Sequence, residues 1–556
     1  MHVSIASRAL GTVARANLET RFAATLARAA GPAAVRVPPH KVVGLARDIN
    51  AYGPAGAALS LGLGLCPDRP AIIDEHGSIT FAELEARSNA LANALRDLGF
   101  GGRDALGILA RNHRGFYEAL FAGARLGART ILLNTDFAGP QLADVAAREG
   151  VRFLVHDAEF SAACAAFDAP LGRAISWTDN GESLAGTVGA LIASSSPRRP
   201  RRPAHRRWGS PRGEGRSPRG RVVLLTSGTT GTPKGAPRDM ALSLAIPGGY
   251  LSKIPLRAGR TVVLNAPAFH AWGLLSSVLS IGLGNTLVVS RRFDPVATLT
   301  AIQRYSADTL ITVPILLSRL LDVGPSVLSS YDLSSLRVLG VSGSALPADL
   351  ATRAMDALGD VVYNLYGSTE VAYATIATPQ DLRAAPGTVG RAPYGTTVRL
   401  YDADDRPVGP GEQGRIFVGN SIQFEGYTGG GTKAQLDGLM STGDIGHFDA
   451  DGRLFVDGRD DDMIISGGEN VFPAEIEHQL LEHPAVVEAA VIGLPDPAFG
   501  SRLVAYVVTS GPVGMDELKD YVRSNLARYK VPREIRFLET MPRNPAGKIV
   551  KRDLPK

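Results

Sequence analysis

At 556 residues the chain exceeds what a single hydrophobic core sustains, so at least two domains are expected. A hydrophobic content of 45% with 20% charged residues excludes a mainly disordered, collagen-like or coiled-coil protein. The net charge of +5 arises in one stretch: residues 198–220 carry nine arginines against Glu214, and the rest of the chain is net −3.

In chain order, the segment from Met1 to about Pro38 is rich in Arg and Ala and nearly free of acid. Arg8, Arg15, Arg21 and Arg28 do not share one helical face, so a peripheral helix without a separate role is expected. Surface binding, and with it peripheral membrane contact, is the alternative reading. Thr80 and Glu83 form a capping box, followed by Leu84, Leu91, Leu95 and Leu98 at helical spacing. Cys66 and Cys164 stand far apart, without Cys-x-x-Cys spacing. That argues against a disulfide framework or a cysteine zinc site and for a reducing, cytoplasmic compartment. Residues 193–220 are Pro, Arg, Ser and Gly with almost no aliphatics, and read as a disordered surface loop. Because its charge lacks interleaved aromatics, no nucleic-acid partner is expected.

Short β-branched runs at 222–225, 262–264, 287–289, 310–313, 336–341 and 361–363 alternate with amphipathic stretches, predicting layered α/β sheets with buried strands. Residues 261–290 hold no Asp, Glu, Lys or Arg, but Pro267, His270, Gly273, Gly282 and Gly284 break them into strand, loop, helix, loop and strand rather than a membrane span. After about 394 the strands shorten between Gly/Asp turns, as at 398–401 and 415–418. From Asp457 a small α+β unit follows, with a helix from Pro473, strands at 486–492 and 503–508, and a helix at 515–526. The expected organisation is an N-terminal extension (1–50), a large α/β domain (51–460) and a small α+β domain (461–556).

The strongest local signal is the run from Leu225 to Gly235, which places Thr226, Ser227, Gly228, Thr229, Thr230, Gly231 and Lys234 directly after a hydrophobic strand. Successive Gly, Ser and Thr residues let backbone N–H groups and hydroxyls close around phosphate oxygens, and Lys234 adds a point charge. It is not a Walker A loop, since Pro233 and Gly235 stand where that motif needs Gly and Ser or Thr. Only nine of the 59 basic residues are lysines, so a lysine in a glycine-rich run carries information here.

This loop, with Tyr366-Gly367-Ser368-Thr369-Glu370, Ser342-Gly-Ser344-Ala345-Leu-Pro347, Ser441-Thr-Gly-Asp444, the run Gly458 to Pro473 and Asn544-Pro-Ala-Gly547-Lys548, resembles the acyl-adenylate-forming superfamily. That superfamily includes acyl-CoA synthetases, peptide-synthetase adenylation domains and luciferases. The likeness covers roughly residues 50–556 and is most specific from 222 onward. It implies that Thr369 contacts the α-phosphate, that Glu370 holds Mg²⁺, that Ser344 and Ala345 line the adenine and that Asp444 accepts from the ribose hydroxyls. A carboxylate is a hard ligand suited to magnesium, and an acceptor-only group suited to a diol. The resemblance further implies that Arg459 reaches the nucleotide, Asp461 is an inter-domain pivot, Gly468 lies where pantetheine passes, and Lys548 enters the site during adenylation. His270, with Trp272 close by, would stand beside the acyl pocket.

The function so implied is ATP-dependent activation of a carboxylic acid, most simply a fatty acid, to acyl-AMP and its transfer to CoA. ATP, Mg²⁺ and CoA are the expected cofactors and co-substrates. The alternatives are an acyl-AMP ligase that loads a carrier-protein thiol, and an aryl- or short-chain-acid CoA ligase.

Overall fold

The computed structural model describes all residues except 1–4, 32–38, 180–184, 201–220, 228–232, 237–244, 425, 429, 460–462, 543–548 and 556. Two sheets carry the large N-terminal domain. The first has eight strands, with its centre built from parallel neighbours in the order Val362–Tyr366, Val338–Val341, Thr309–Thr312, Thr261–Leu264, Thr286–Val289 and Pro70–Asp74. Four of these strands, from Thr261–Leu264 through Val338–Val341, are four residues long and almost wholly buried, as expected of β-branched runs covered on both faces. The second sheet has six strands; Val222–Ser227 lies beside Arg129–Leu132 and turns into the antiparallel Pro233–Ala236.

The charge-free stretch folds as strand Thr261–Leu264, helix Ala271–Gly282 and strand Thr286–Val289, the order its prolines and glycines predict. At the start of helix Phe81–Asp97 the capping box is complete: the Thr80 hydroxyl accepts from the Glu83 amide at 3.1 Å, and the Glu83 carboxylate accepts from the Thr80 amide at 2.7 Å. Strands Thr397–Tyr401, Gly414–Gly419, Leu439–Phe448 and Leu454–Arg459 form an antiparallel sheet that closes the domain. The smaller C-terminal domain has a hairpin (Ile464–Ser466 with Glu469–Val471) and a three-stranded sheet. Helices Pro473–Leu481 and Met515–Asn525 complete it.

A buried ionic node fixes the helices beneath the site. The Arg125 guanidinium, fully buried, donates to the Glu85 carboxylate at 2.5 Å, to Ser60 at 3.2 Å and to the Gly56 carbonyl at 3.3 Å, over the Tyr52 ring. It ties helices Pro39–Leu65, Phe81–Asp97 and Arg114–Leu126 together. Losing one partner of such a node costs about 3–5 kcal/mol, because the other charge is left buried.

Two expectations are corrected. The loop predicted to be disordered from 193 is anchored up to Pro200: Arg199 pairs with the same Glu85 at 2.8 Å, and Asn93 donates to the Ser196 and Arg198 carbonyls. Two carboxylates within reach, Glu85 and Asp48, hold an arginine from a run without aliphatics. The remainder of that loop, 201–220, lies outside the described residues. The N-terminal segment is helical as expected (Ile5–Ala30), but not peripheral: Phe22 is 1% exposed and belongs to the main core, where arginine spacing gave no sign of it.

Candidate active site

A cavity of about 850 Å³ opens between the two domains, and the predicted nucleotide motifs converge on it. Ser344 and Ala345, the stretch from Tyr366 to Glu370, and Asp444 all contribute to its wall. Strand Val362–Tyr366 delivers its motif at the C-terminal end of a parallel sheet, the place where open α/β sheets present ligand-binding loops. The Tyr366 hydroxyl donates to the Asp444 carboxylate at 2.5 Å and lies 3.2 Å from the Thr442 hydroxyl, joining two motifs that are 78 residues apart. Glu370, 8% exposed, accepts from the Tyr427 hydroxyl at 2.8 Å. The Lys234 ammonium stands 5.8 Å from the centre of the Tyr427 ring, so the lysine of the glycine-rich loop and the carboxylate of the second motif flank one tyrosine.

The two flanks of this run pair antiparallel, with Thr226 opposite Lys234 and Ser227 opposite Pro233. Gly228, Thr229, Thr230 and Gly231 lie outside the described residues, as do Asp461 and Lys548. Arg459 ends strand Leu454–Arg459 in register with Asp444.

His270 precedes helix Ala271–Gly282 at the cavity wall. Its loop is held by Asn112, whose amide donates to the Ala266 carbonyl at 2.9 Å and accepts from the Ala268 N–H at 2.8 Å. Trp272, buried, lines the same cavity and donates its indole N–H to the Thr312 carbonyl at 2.9 Å.

From the C-terminal domain the hairpin turn brings Gly467, Gly468 and Glu469 to the cavity. Gly468 has φ +92, a conformation side chains rarely adopt, and a Cβ there would reach toward the Gly343 carbonyl at 4.0 Å. The Glu469 carboxylate meets His270 Nε2 at 2.8 Å and the Asn134 amide at 3.4 Å. Burial pushes the Glu469 carboxyl up, but His270, together with Asn134 and Lys530, outweighs it and leaves it below the ordinary range. Burial likewise pushes His270 down, and Glu469, with Asp136 behind it, leaves it above the ordinary value. Farther out, the fully buried Lys530 ammonium pairs with Glu475, which also accepts from Gln141 at 3.1 Å. Here burial wins: Lys530 is lowered and Glu475 raised, both toward their neutral forms.

Sequence reasoning missed Tyr427, Asn112, Asn134, Glu469 and Lys433. Lys433 is a cavity residue that follows Gly430-Gly431-Thr432, a second lysine in a glycine-rich run that the rarity of lysine could have flagged.

The sequence matches the AMP-binding enzyme family over residues 64–428 and the AMP-binding enzyme C-terminal domain over 475–548. The chain belongs to the AMP-binding enzyme family. It is 33% identical over 511 residues to a feruloyl-CoA synthase from Amycolatopsis, a match covering 88% of this chain and 98% of that protein. To a long-chain-fatty-acid–CoA ligase of Mycobacterium tuberculosis it is 30% identical over 481 residues, covering 85% and 92%. These relatives make it an acid–thiol ligase of the acyl- and aryl-CoA ligase group.

Among solved structures it resembles o-succinylbenzoate CoA synthetase of Bacillus subtilis. With a double mutant of that enzyme bound to its product analogue OSB-NCoA, the TM-score is 0.76 at 28% identity, covering 89% of this chain and 98% of that one. With the acyl-adenylate complex the TM-score is 0.61 at 27% identity, covering 90% and 98%. The family member described here is therefore nearer in shape to the CoA-analogue form than to the adenylate form.

Proposed function

We propose that this ligase activates a fatty acid with ATP to the acyl-adenylate and passes the acyl group to CoA. The observation that carries the reading is the composition of one cavity. Ser344, Tyr366, Glu370 and Asp444, the aliphatic face of helix Ala271–Gly282, and Gly468 all line it. A nucleotide, an apolar acid and a thiol arm can meet there.

A carboxylate resists thiol attack because its leaving group would be oxide or hydroxide. In the first step a carboxylate oxygen bonds to the α-phosphorus of ATP while the bond to pyrophosphate breaks. In the second the CoA sulfur bonds to the acyl carbon while the bond to AMP breaks, and the thiol proton leaves to solvent or to the departing phosphate. Positioning and charge neutralisation do most of this work. Thr226 to Gly231 would wrap the phosphates, with Thr369 on the α-phosphate and Lys234 and Lys548 opposite the developing negative charge. Asp444, oriented by Tyr366, would take the ribose hydroxyls, with Arg459 beside it in register.

The site fits magnesium: Glu370 offers a buried carboxylate at the cavity wall, a hard oxygen ligand for an ion held mainly by triphosphate. When bound, the ion supplies neutralisation of the triphosphate charge. Residues 51–460 would form the adenylating domain. Residues 461–556 would be the mobile one, swinging about Asp461 to exchange Lys548 for Gly468. The greater likeness to the CoA-analogue form supports assigning the described arrangement to the second step. Free Cys66 and Cys164 suit a reducing cytoplasm; among the described residues no helix is long and apolar enough to cross a membrane.

Pyrophosphate release across a panel of carboxylic acids, with and without CoA, tests the reading. Release with aliphatic acids and CoA-dependent turnover are expected. Release with aryl acids alone would replace the substrate, and turnover that requires a carrier protein would replace the acceptor.

A further inference from the structure

The helix Ala271–Gly282 presents Ala271, Leu274, Val278 and Gly282 to the cavity, with Leu275 and Leu279 beside them. This is one helical face from end to end. At 1.5 Å per residue the wall is about 18 Å long, starting at His270 and ending beyond Gly282. Beside it packs helix Pro39–Leu65, whose Ala57, Ala58 and Leu61 also line the cavity; the two helices touch at the Gly282 end, where a Cβ on Gly282 would sit 3.5 Å from Ala58. The apolar lining thus runs the length of helix Ala271–Gly282.

A third element reaches the same space. Leu26, Ala27 and Ala30 of helix Ile5–Ala30 line the cavity, and this helix precedes residue 64, where the family match begins. It is not loosely attached. Phe22 seats on helix Ala245–Leu251 so tightly that a Cβ on Gly248 would come within 2.3 Å of it. The Ala29 carbonyl accepts from the Ala258 N–H at 2.9 Å. Ile246 and Pro247, on the helix that Phe22 grips, are cavity residues themselves.

We propose that the N-terminal helix is part of the substrate site: it forms the far wall of the acyl channel, and the channel selects a long unbranched alkyl acid whose tail reaches Leu26 and Ala30. This rests on the acid-activating reading above and names its substrate class. Burying each further methylene favours binding by roughly fourfold, so a helix that extends the apolar wall shifts preference toward longer chains.

The test uses the full-length enzyme and pyrophosphate release with straight-chain acids of increasing length and with a ferulic-type aryl acid. The parent should gain in kcat/KM with chain length. Ala30→Trp, which fills the far end, should lower kcat/KM for the longest acids at least tenfold relative to the shorter ones and move the preferred length down by several carbons. Ala27→Trp, at the neighbouring cavity position, should move it in the same direction and keeps the test open if Ala30→Trp does not fold. Identical chain-length profiles for parent and variants would remove the helix from the site. Preference of the parent for the aryl acid would overturn the substrate class and leave acid activation standing; release with no acid would sink the acid-activating reading itself.

Discussion

The two ends of the cavity are built by opposite rules. At the polar end side chains hold one another: Tyr366 fixes Asp444, Tyr427 fixes Glu370, and Lys234 lies over Tyr427. At the apolar end helix faces supply Leu, Val, Ala and Gly, and no polar partner sets their positions. The first arrangement concentrates function in single atoms, and the second spreads it over area. Substitutions at the polar end should therefore act steeply on rate, and those at the apolar end should grade substrate preference.

Lys548 gives the sharpest contrast. Lys548→Ala should cut acyl-AMP formation by on the order of 10²-fold or more, as for loss of one preorganised charge-stabilising donor. Thioester formation from supplied acyl-AMP should change far less. Equal losses in both half-reactions would overturn the proposed role of Lys548 in adenylation. Tyr366→Phe should follow: Asp444 loses a hydrogen bond to a charged acceptor, a loss of about tenfold or more in kcat/KM for ATP. The KM for the acid should hardly move. If both substrates weaken equally, the two ends are not separately built.

Gly468→Leu tests the junction. A side chain at φ +92 is strained and fills the space below Gly343, so CoA transfer should fall about tenfold or more while adenylation persists. Single-turnover transfer from preloaded acyl-AMP measures it, and transfer at the parent rate would remove Gly468 from the thiol path.

The His270–Glu469 contact adds a pH signature. Glu469 is lowered in the docked arrangement, so its contribution is present above the ordinary carboxylate range and is lost as pH falls through the lowered value. His270 is raised, so its contribution is complete below its ordinary value and is lost as pH rises through the raised one. Docking is strongest between these limits, with Asp136, Glu475, Lys530 and Tyr529 packed around the pair. The ratio of CoA transfer by the parent to transfer by Glu469→Gln should therefore decline as pH rises through the raised His270 value. A flat ratio would mean that the pair does not hold the C-terminal domain. Using the ratio cancels the growing thiolate fraction of CoA.

The same contrast explains what the sequence could show. Contiguous motifs such as 225–235 and 366–370 are legible because backbone and side chain act together within a few residues. Their destinations were legible too, since short buried strands end where a parallel sheet presents its loops. Tyr427, Asn112 and Glu469 were not, because their role is defined only by a partner that folding brings from 57, 156 and 199 residues away. The apolar end was hidden for a different reason: the 271–282 pattern announces a helix face but not whether that face meets a core or a cavity. For the N-terminal segment, attention to its arginines obscured Phe22, the residue that anchors it.

The smallest effect is expected farthest from both ends, in the basic loop. Its first residues and its remainder differ: Arg199 joins the Glu85–Arg125 node and approaches Asp48 at 3.5 Å, whereas 201–219 is a run of Pro, Arg and Gly without aliphatics to bury. Changing the length of a flexible loop costs only about 0.6 kcal/mol per doubling. Replacing 201–219 with a short Gly/Ser linker while keeping Arg199 should leave turnover within roughly threefold and the Tm nearly unchanged, because the run has almost no apolar side chains to bury. Retention on heparin at low salt should largely disappear, since most of the excess positive charge lies in this run. Arg199→Ala should do the reverse, with heparin binding little changed and stability lower by about 1 kcal/mol, because Glu85 keeps Arg125 but loses its second cation. If excision of 201–219 instead abolished adenylation, the loop would have to position the phosphate-binding turn that follows strand Val222–Ser227, and the polar end of the cavity would extend into it.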